Sequence, residues 1–164
     1  MSRGNCQDAS RGSSSCTLCP SERKARATWT GDLRSGQGEF DLESSHAVEH
    51  EQVTFASRFE QPGGKTSPEE LIAAAHATCF SMALAGGLAQ AGHAPTKLET
   101  DAQVTLDKLN GGFGITAIHL IVRGEVDGLD EAGFEKAAQD AKANCPVSKA
   151  LAAVPSITLE ASLA

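Results

Sequence analysis

Two cysteines, Cys79 and Cys145, sit where a thiol could do chemistry. Cys79 lies in Ser67-Pro-Glu-Glu-Leu-Ile-Ala-Ala-Ala-His-Ala-Thr-Cys-Phe-Ser-Met-Ala-Leu84, the longest strongly helical stretch of the chain. From Leu71, the positions Ala75, Cys79, Met82 and Gly86 share one stripe at helical spacing, which predicts a thiol facing inward. Cys145 lies in Asn144-Cys-Pro-Val-Ser148, where one helix ends and a second short one begins, with Pro146 suited to its first position. A helix start favours the thiolate. Two such thiols on different elements can cycle between dithiol and disulfide, although spacing alone leaves open whether they meet. A cysteine on an apolar helical stripe is also commonly just a small buried hydrophobe.

The elements that must position these thiols can be read from turn and cap signals. Ser67 caps the central helix, Pro68 fits its first position and Glu70 completes a capping box, while Gly92 and Pro95 end the run. Before it, residues 24–30, 37–43 and 52–60 alternate as three short strands. In the third, Val53, Phe55, Ser57 and Phe59 share one face and Arg58 the other, where an arginine is ordinarily a solvated edge residue. Gln61-Pro-Gly-Gly-Lys-Thr66 is a turn and lacks the spacing of a phosphate-binding loop. After the helix, residues 98–109 and 115–126 form a hairpin across Asn110-Gly111-Gly112. Residues 130–142 form a helix capped by Asp130 with Phe134, Ala137, Ala138 and Ala141 inward, and residues 156–163 a last strand. The class is α+β, with two antiparallel sheet portions around a buried central helix.

With 164 residues the chain is long enough for one domain with a real core. A net charge of -7 and 4% aromatic residues exclude a basic, stacking nucleic-acid surface. No apolar run long enough to cross a bilayer and no secretory leader are expected, so the default location is the cytoplasm. Five cysteines, an odd and scattered set, do not form a secreted disulfide framework. Residues 1–22 have almost no large apolar residues and are expected to be a flexible extension to the domain at 23–164. That extension carries Cys6 and the pair Cys16-Thr-Leu-Cys19, an isolated CxxC with only Cys6 and His46 as loose further metal ligands, so neither a metal nor a cofactor is expected.

The blocks Phe55-Ala-Ser-Arg-Phe-Glu60, Ser67-Pro-Glu-Glu-Leu71, Ala75-His-Ala-Thr-Cys-Phe-Ser-Met-Ala-Leu84, Val104-Thr-Leu-Asp-Lys108 and Asn144-Cys-Pro-Val-Ser148 resemble the OsmC branch of the OsmC/Ohr hydroperoxide-reducing family, in order, from about Arg23 to the C-terminus. The resemblance implies a thiol peroxidase acting on organic hydroperoxides and more weakly on hydrogen peroxide, in defence against oxidative and osmotic stress. By that resemblance Cys79 is the attacking thiolate, Cys145 the resolving cysteine, Arg58 the cation that holds the thiolate and Glu69 the acid that positions the arginine. It further implies an intertwined homodimer with sites at the interface, and an external dithiol reductant of lipoyl type.

Physics limits this picture in two places. Glu69 and Cys79 are ten residues apart, about 15 Å of rise on an unbroken helix, so one arginine cannot touch both. Either the helix breaks or two copies build the site. Local sequence also favours Cys145 over Cys79 as the more acidic thiol, because mid-helix the dipole contributes little. His76 faces Cys79 one turn away and admits either a direct catalytic role or a hydrogen-bonded structural one. Two other functions compete: a non-catalytic binding or structural module with buried cysteines, and a disulfide oxidoreductase working through the N-terminal CxxC.

Overall fold

The computed structural model describes residues 21–164. Nearly all of the expected extension, including Cys6, Cys16 and Cys19, lies outside the described residues. Strands β1 (Arg26–Thr30), β2 (Gln37–Asp41) and β3 (Glu51–Thr54) form an antiparallel sheet in that order. The third strand stops six residues before the expected Glu60 and passes into a short helix, α1 (Phe55–Phe59). A reciprocal cap ends it. Ser57 N–H donates to Thr54 Oγ1 at 3.1 Å, and Thr54 N–H donates to Ser57 Oγ at 2.9 Å. Over so few residues, alternation and a single helical turn look alike, and Arg58 therefore stands on a helix and not on a strand face.

Helix α2 (Pro68–Gln90) begins as the sequence predicts, with Glu70 N–H donating to Ser67 Oγ at 3.2 Å. The Glu70 carboxylate does not close a capping box; it accepts from Thr66 Oγ1 at 2.7 Å. The buried face is also different from the predicted stripe. His76, Phe80, Leu84 and Leu88 are buried at four-residue steps, whereas Leu71 is 40% and Met82 70% exposed. Cys79 flanks this face and packs against the core. An α-helix apolar nearly all round offers periodicity no side to choose. The same composition makes α2 long and apolar enough to cross a membrane by length and composition alone, which corrects the expectation that no such run exists. Its Phe80, Leu84 and Leu88 are buried in the protein core, while 22% of the apolar window is buried in all.

Strands β4 (Lys97–Leu109) and β5 (Gly112–Glu125) pair antiparallel across the expected turn, where Gly111 has φ 132°, a value only glycine adopts readily. From β5 the chain crosses over through α3 (Glu131–Asn144) and α4 (Pro146–Ala150) to β6 (Ser156–Leu163). That last strand pairs with β5 in parallel, completing the order β4-β5-β6. Asp130 caps α3 as predicted, accepting from Gly133 N at 2.8 Å. The core joins Phe80, Leu84 and Leu88 of α2 to Leu120 and Val122 of β5, Phe134, Ala138 and Ala141 of α3, and Cys145. Each large member contributes about 1.5–3 kcal/mol by burial. The Phe134 ring lies so close to Gly124 that a Cβ there would fall 2.5 Å from ring carbons.

Candidate active site

Cys145 is the residue between α3 and α4, and the turn there is made by chemistry the sequence displays. Cys145 N–H closes the last turn of α3 on Ala141 O at 2.8 Å, and Pro146 takes the first position of α4, where no donor is needed. The thiol thereby reaches α2, and the two sulfurs lie 3.3 Å apart as free thiols. Cys79 is half-buried and Cys145 is 0% exposed. A solute can reach only the first.

The two thiols are shifted in opposite directions. Burial pushes the Cys79 thiol up, with the Val147 N–H pulling it back down only partly and the neighbouring Cys145 raising it further. Burial also acts upward on Cys145, but the Ser148 N–H, the contact with Cys79, the Ser148 hydroxyl and the Val147 N–H together hold it below the usual value. Within one chain the more acidic thiol is thus not the reachable one. Reachability decides which sulfur meets a solute.

Arg58 and Glu69 are brought together, away from the thiols. Arg58 Nε donates to both carboxylate oxygens at 3.2 Å and its Nη2 to Oε1 at 2.7 Å, a forked pair with side chains 35% and 10% exposed. Because α2 is unbroken between Glu69 and Cys79, the pair stands about 15 Å along the axis from the sulfur. The Arg58 guanidinium also lies 5.2 Å over the Phe59 ring, which in turn meets Phe113 at 4.6 Å. Beside it opens a cleft of about 490 Å³ lined by Trp29, Leu33, Phe55 and Phe59 among others. Phe80 is core, and Met82 is surface. No group of three or more His, Cys, Asp or Glu side chains suited to a metal occurs among the described residues.

The family model for OsmC-like protein matches residues 61–160, which span both cysteines and Glu69. The chain belongs to the OsmC-like family. Peroxiredoxin OsmC of Escherichia coli (strain K12) is 46% identical over 141 residues, covering 86% of this chain and 96% of that protein. An organic hydroperoxide resistance protein of Xanthomonas axonopodis pv. citri is 34% identical over 98 residues, 59% of this chain and 67% of that one. Among solved structures, the organic hydroperoxide resistance protein OhrB of Bacillus subtilis matches with a TM-score of 0.63 at 25% identity, covering 86% of this chain and 98% of that one. These names support a peroxidase-type role for an OsmC-like chain.

Sequence reasoning missed two contributors to this OsmC-like site. The Val147 backbone N–H acts to lower the pKa of both thiols, and Ser148 bonds His76 with Nε2 to Oγ at 2.7 Å. The signal was the Pro146 start of α4, which leaves the next two amides without helical partners.

Proposed function

We propose that this protein is a two-cysteine thiol peroxidase of the cytoplasm, reducing organic hydroperoxides and more weakly hydrogen peroxide. The observation that carries the reading is one half-buried thiol 3.3 Å from one fully buried thiol. The Cys79 thiolate attacks the outer peroxide oxygen, the O–O bond breaks, and the leaving alkoxide takes a proton to become the alcohol. Cys79 is left as sulfenic acid. Cys145 then displaces hydroxide from that sulfur, forming a disulfide and, with a proton, water. An external dithiol, such as a lipoyl-type one, restores both thiols by exchange.

Activation of Cys79 requires a cation, and Arg58 fits because it keeps its charge in a dry pocket. In the proposed arrangement two copies form a homodimer in which the Arg58–Glu69 pair of one copy approaches Cys79 of the other. The exposed Leu71 and Met82 on α2, and Trp29 and Leu33 near the first sheet, support such burial between copies. The apolar cleft beside Arg58 supports an organic substituent on the peroxide.

Consumption of cumene hydroperoxide and hydrogen peroxide with a dithiol tests this reading. Cys79→Ser is expected to be inactive, and Cys145→Ser to consume one equivalent and then stall. Unchanged consumption in both variants would instead make the thiols structural, as in a binding module. A stable, fully active monomer by light scattering would sink the shared site.

A further inference from the structure

Two free thiols stand 3.3 Å apart, one half-buried and one fully closed off. Among the described residues no further His, Cys, Asp or Glu joins them in a group suited to a metal. The number of donors and their spacing together select a ligand. Tetrahedral zinc asks for four donors, and at about 2.3 Å from each it needs its sulfurs roughly 3.8 Å apart. A two-coordinate soft cation such as Cu(I), with sulfurs on opposite sides at a similar bond length, needs them roughly 4.6 Å apart. Cys145 sits in the closed core with Phe80, Phe134 and Ala141, where close packing resists such an opening. At the observed 3.3 Å, the same bond length sets an angle of about 90° at the bound atom. Trivalent arsenic fits that angle. It bonds sulfur at close to this length, a lone pair takes its fourth position, and its bonds meet near a right angle.

We propose that Cys79 and Cys145 form a two-sulfur chelating site for monosubstituted trivalent organoarsenicals, R–As(OH)2 with R a methyl or aryl group. Arsenite, with three hydroxyls to replace, is best held by three thiols and is the poorer fit. Cys79, the reachable sulfur, condenses first: an S–As bond forms, an As–O bond breaks, and the hydroxide leaves with the thiol proton as water. Cys145 closes the ring in the same way and releases a second water. Arsenic stays trivalent and both sulfurs stay at the thiol oxidation level, so neither an oxidant nor a reductant takes part. The open side of the pair is at Cys79, where the organic group is left toward solvent.

Capture needs only the reduced pair and is independent of the peroxidase reading. Its consequence rests on that reading: the arsenical occupies the attacking and the resolving sulfur at once, and turnover stops. A disulfide between the two cysteines leaves no sulfur to bind, so peroxide and arsenical exclude one another at this site. Once Cys79 has bonded, Cys145 acts within the same molecule, which strengthens the hold about 10²–10⁴-fold over a single sulfur. A monothiol in solution therefore competes poorly, and a small dithiol competes well.

The probe is phenylarsine oxide and the readout is intact mass, in the full chain carrying Cys6→Ser, Cys16→Ser and Cys19→Ser, so that Cys79 and Cys145 are the thiols left of the original five. The reduced protein is expected to retain one phenylarsenic group in excess 2-mercaptoethanol and to lose it to 2,3-dimercaptopropanol. Adding Cys79→Ser or Cys145→Ala should weaken retention by at least about 100-fold. Circular dichroism checks that the buried Cys145→Ala site still folds, and Cys79→Ser, at the half-buried position, decides the matter by itself if it does not. Arsenite should be retained less tightly than phenylarsine oxide. No retention by the reduced protein, or a Cys79→Ser variant that holds the group as well as its parent, would overturn the proposal. Arsenite held as tightly would put a third donor at the site and overturn the two-sulfur assignment. Consumption of cumene hydroperoxide by the same protein is read separately. Retention without consumption leaves the site and removes the peroxidase; consumption without retention does the reverse.

Discussion

The first sheet and the α2–α3 body differ in how they are held. In the body, Phe80, Leu84, Leu120, Val122 and Phe134 are buried to completion around Cys145. In the first sheet every residue of β1 is exposed, and Trp29 and Leu33 remain at the surface. The thiols belong to the packed region. The cation belongs to the open one, joined to the body through the Arg58–Glu69 fork, the Phe59–Phe113 contact and the Ser57 hydroxyl donating to Thr66 O. One chain therefore holds its two thiols in the packed core and its charge on an element whose apolar surface is still uncovered.

The largest test of this contrast is Phe80→Ala, which should lower unfolding stability by about 3–5 kcal/mol in urea titrations. A cost below about 1 kcal/mol would mean that the body is not the packed region. Next comes Arg58→Met, expected to lower peroxidase turnover by roughly 10²–10³-fold while the chain stays folded. Mixing Arg58→Met with Cys79→Ser sharpens the point. If each site combines two copies, random exchange should restore about a quarter of the original activity, from the one intact site in half of the dimers. No restoration would return Arg58 to its own chain.

The α+β class, the cap of α2, the hairpin turn, the cap of α3 and the thiol-bearing Asn144–Ser148 turn were legible in the sequence because each depends on local chemistry. The buried face of α2 was not legible, since alanine-rich sides look alike until a sheet covers one of them. The reach of β3 was misread because Thr54 and Ser57 cap each other within a stretch that also alternates. Of the four residues expected in the site, the chain brings Cys79 to Cys145 and Arg58 to Glu69. It does not join the two pairs, as the helical rise between Glu69 and Cys79 already implied.

Smaller effects follow from acidity. His76 has its folded pKa lowered by burial, so the unfolded chain binds the proton more readily. Stability should fall as pH drops below the ordinary histidine range, by at most about 1.4 kcal/mol per pH unit, and His76→Phe should flatten that slope. A slope that survives the substitution would assign it to other groups. The smallest effect lies in the first sheet. Asp32 accepts from the Ser35 hydroxyl and from the backbone N–H groups of Ser35 and Arg34, which hold its carboxyl down at about 2 instead of 3.8. Its contribution is present above pH 3.8 and is lost as pH falls toward 2. Carboxyl NMR titration should find that midpoint, and an ordinary value would mean the loop is open in solution.

The parallel pairing of β6 on β5 bears on the order in which the molecule assembles. The β4–β5 hairpin closes across a two-residue turn, whereas β6 must return through all of α3 and α4 before it can pair. Contacts so distant along the chain form late. Cys79 and Cys145 stand 66 positions apart, so their approach is likewise a long-range contact. On the proposed peroxidase reading, a Cys79 oxidised before that approach would have no partner at hand and would be open to irreversible over-oxidation. On that reading, newly made chains would be the vulnerable population during an oxidant burst.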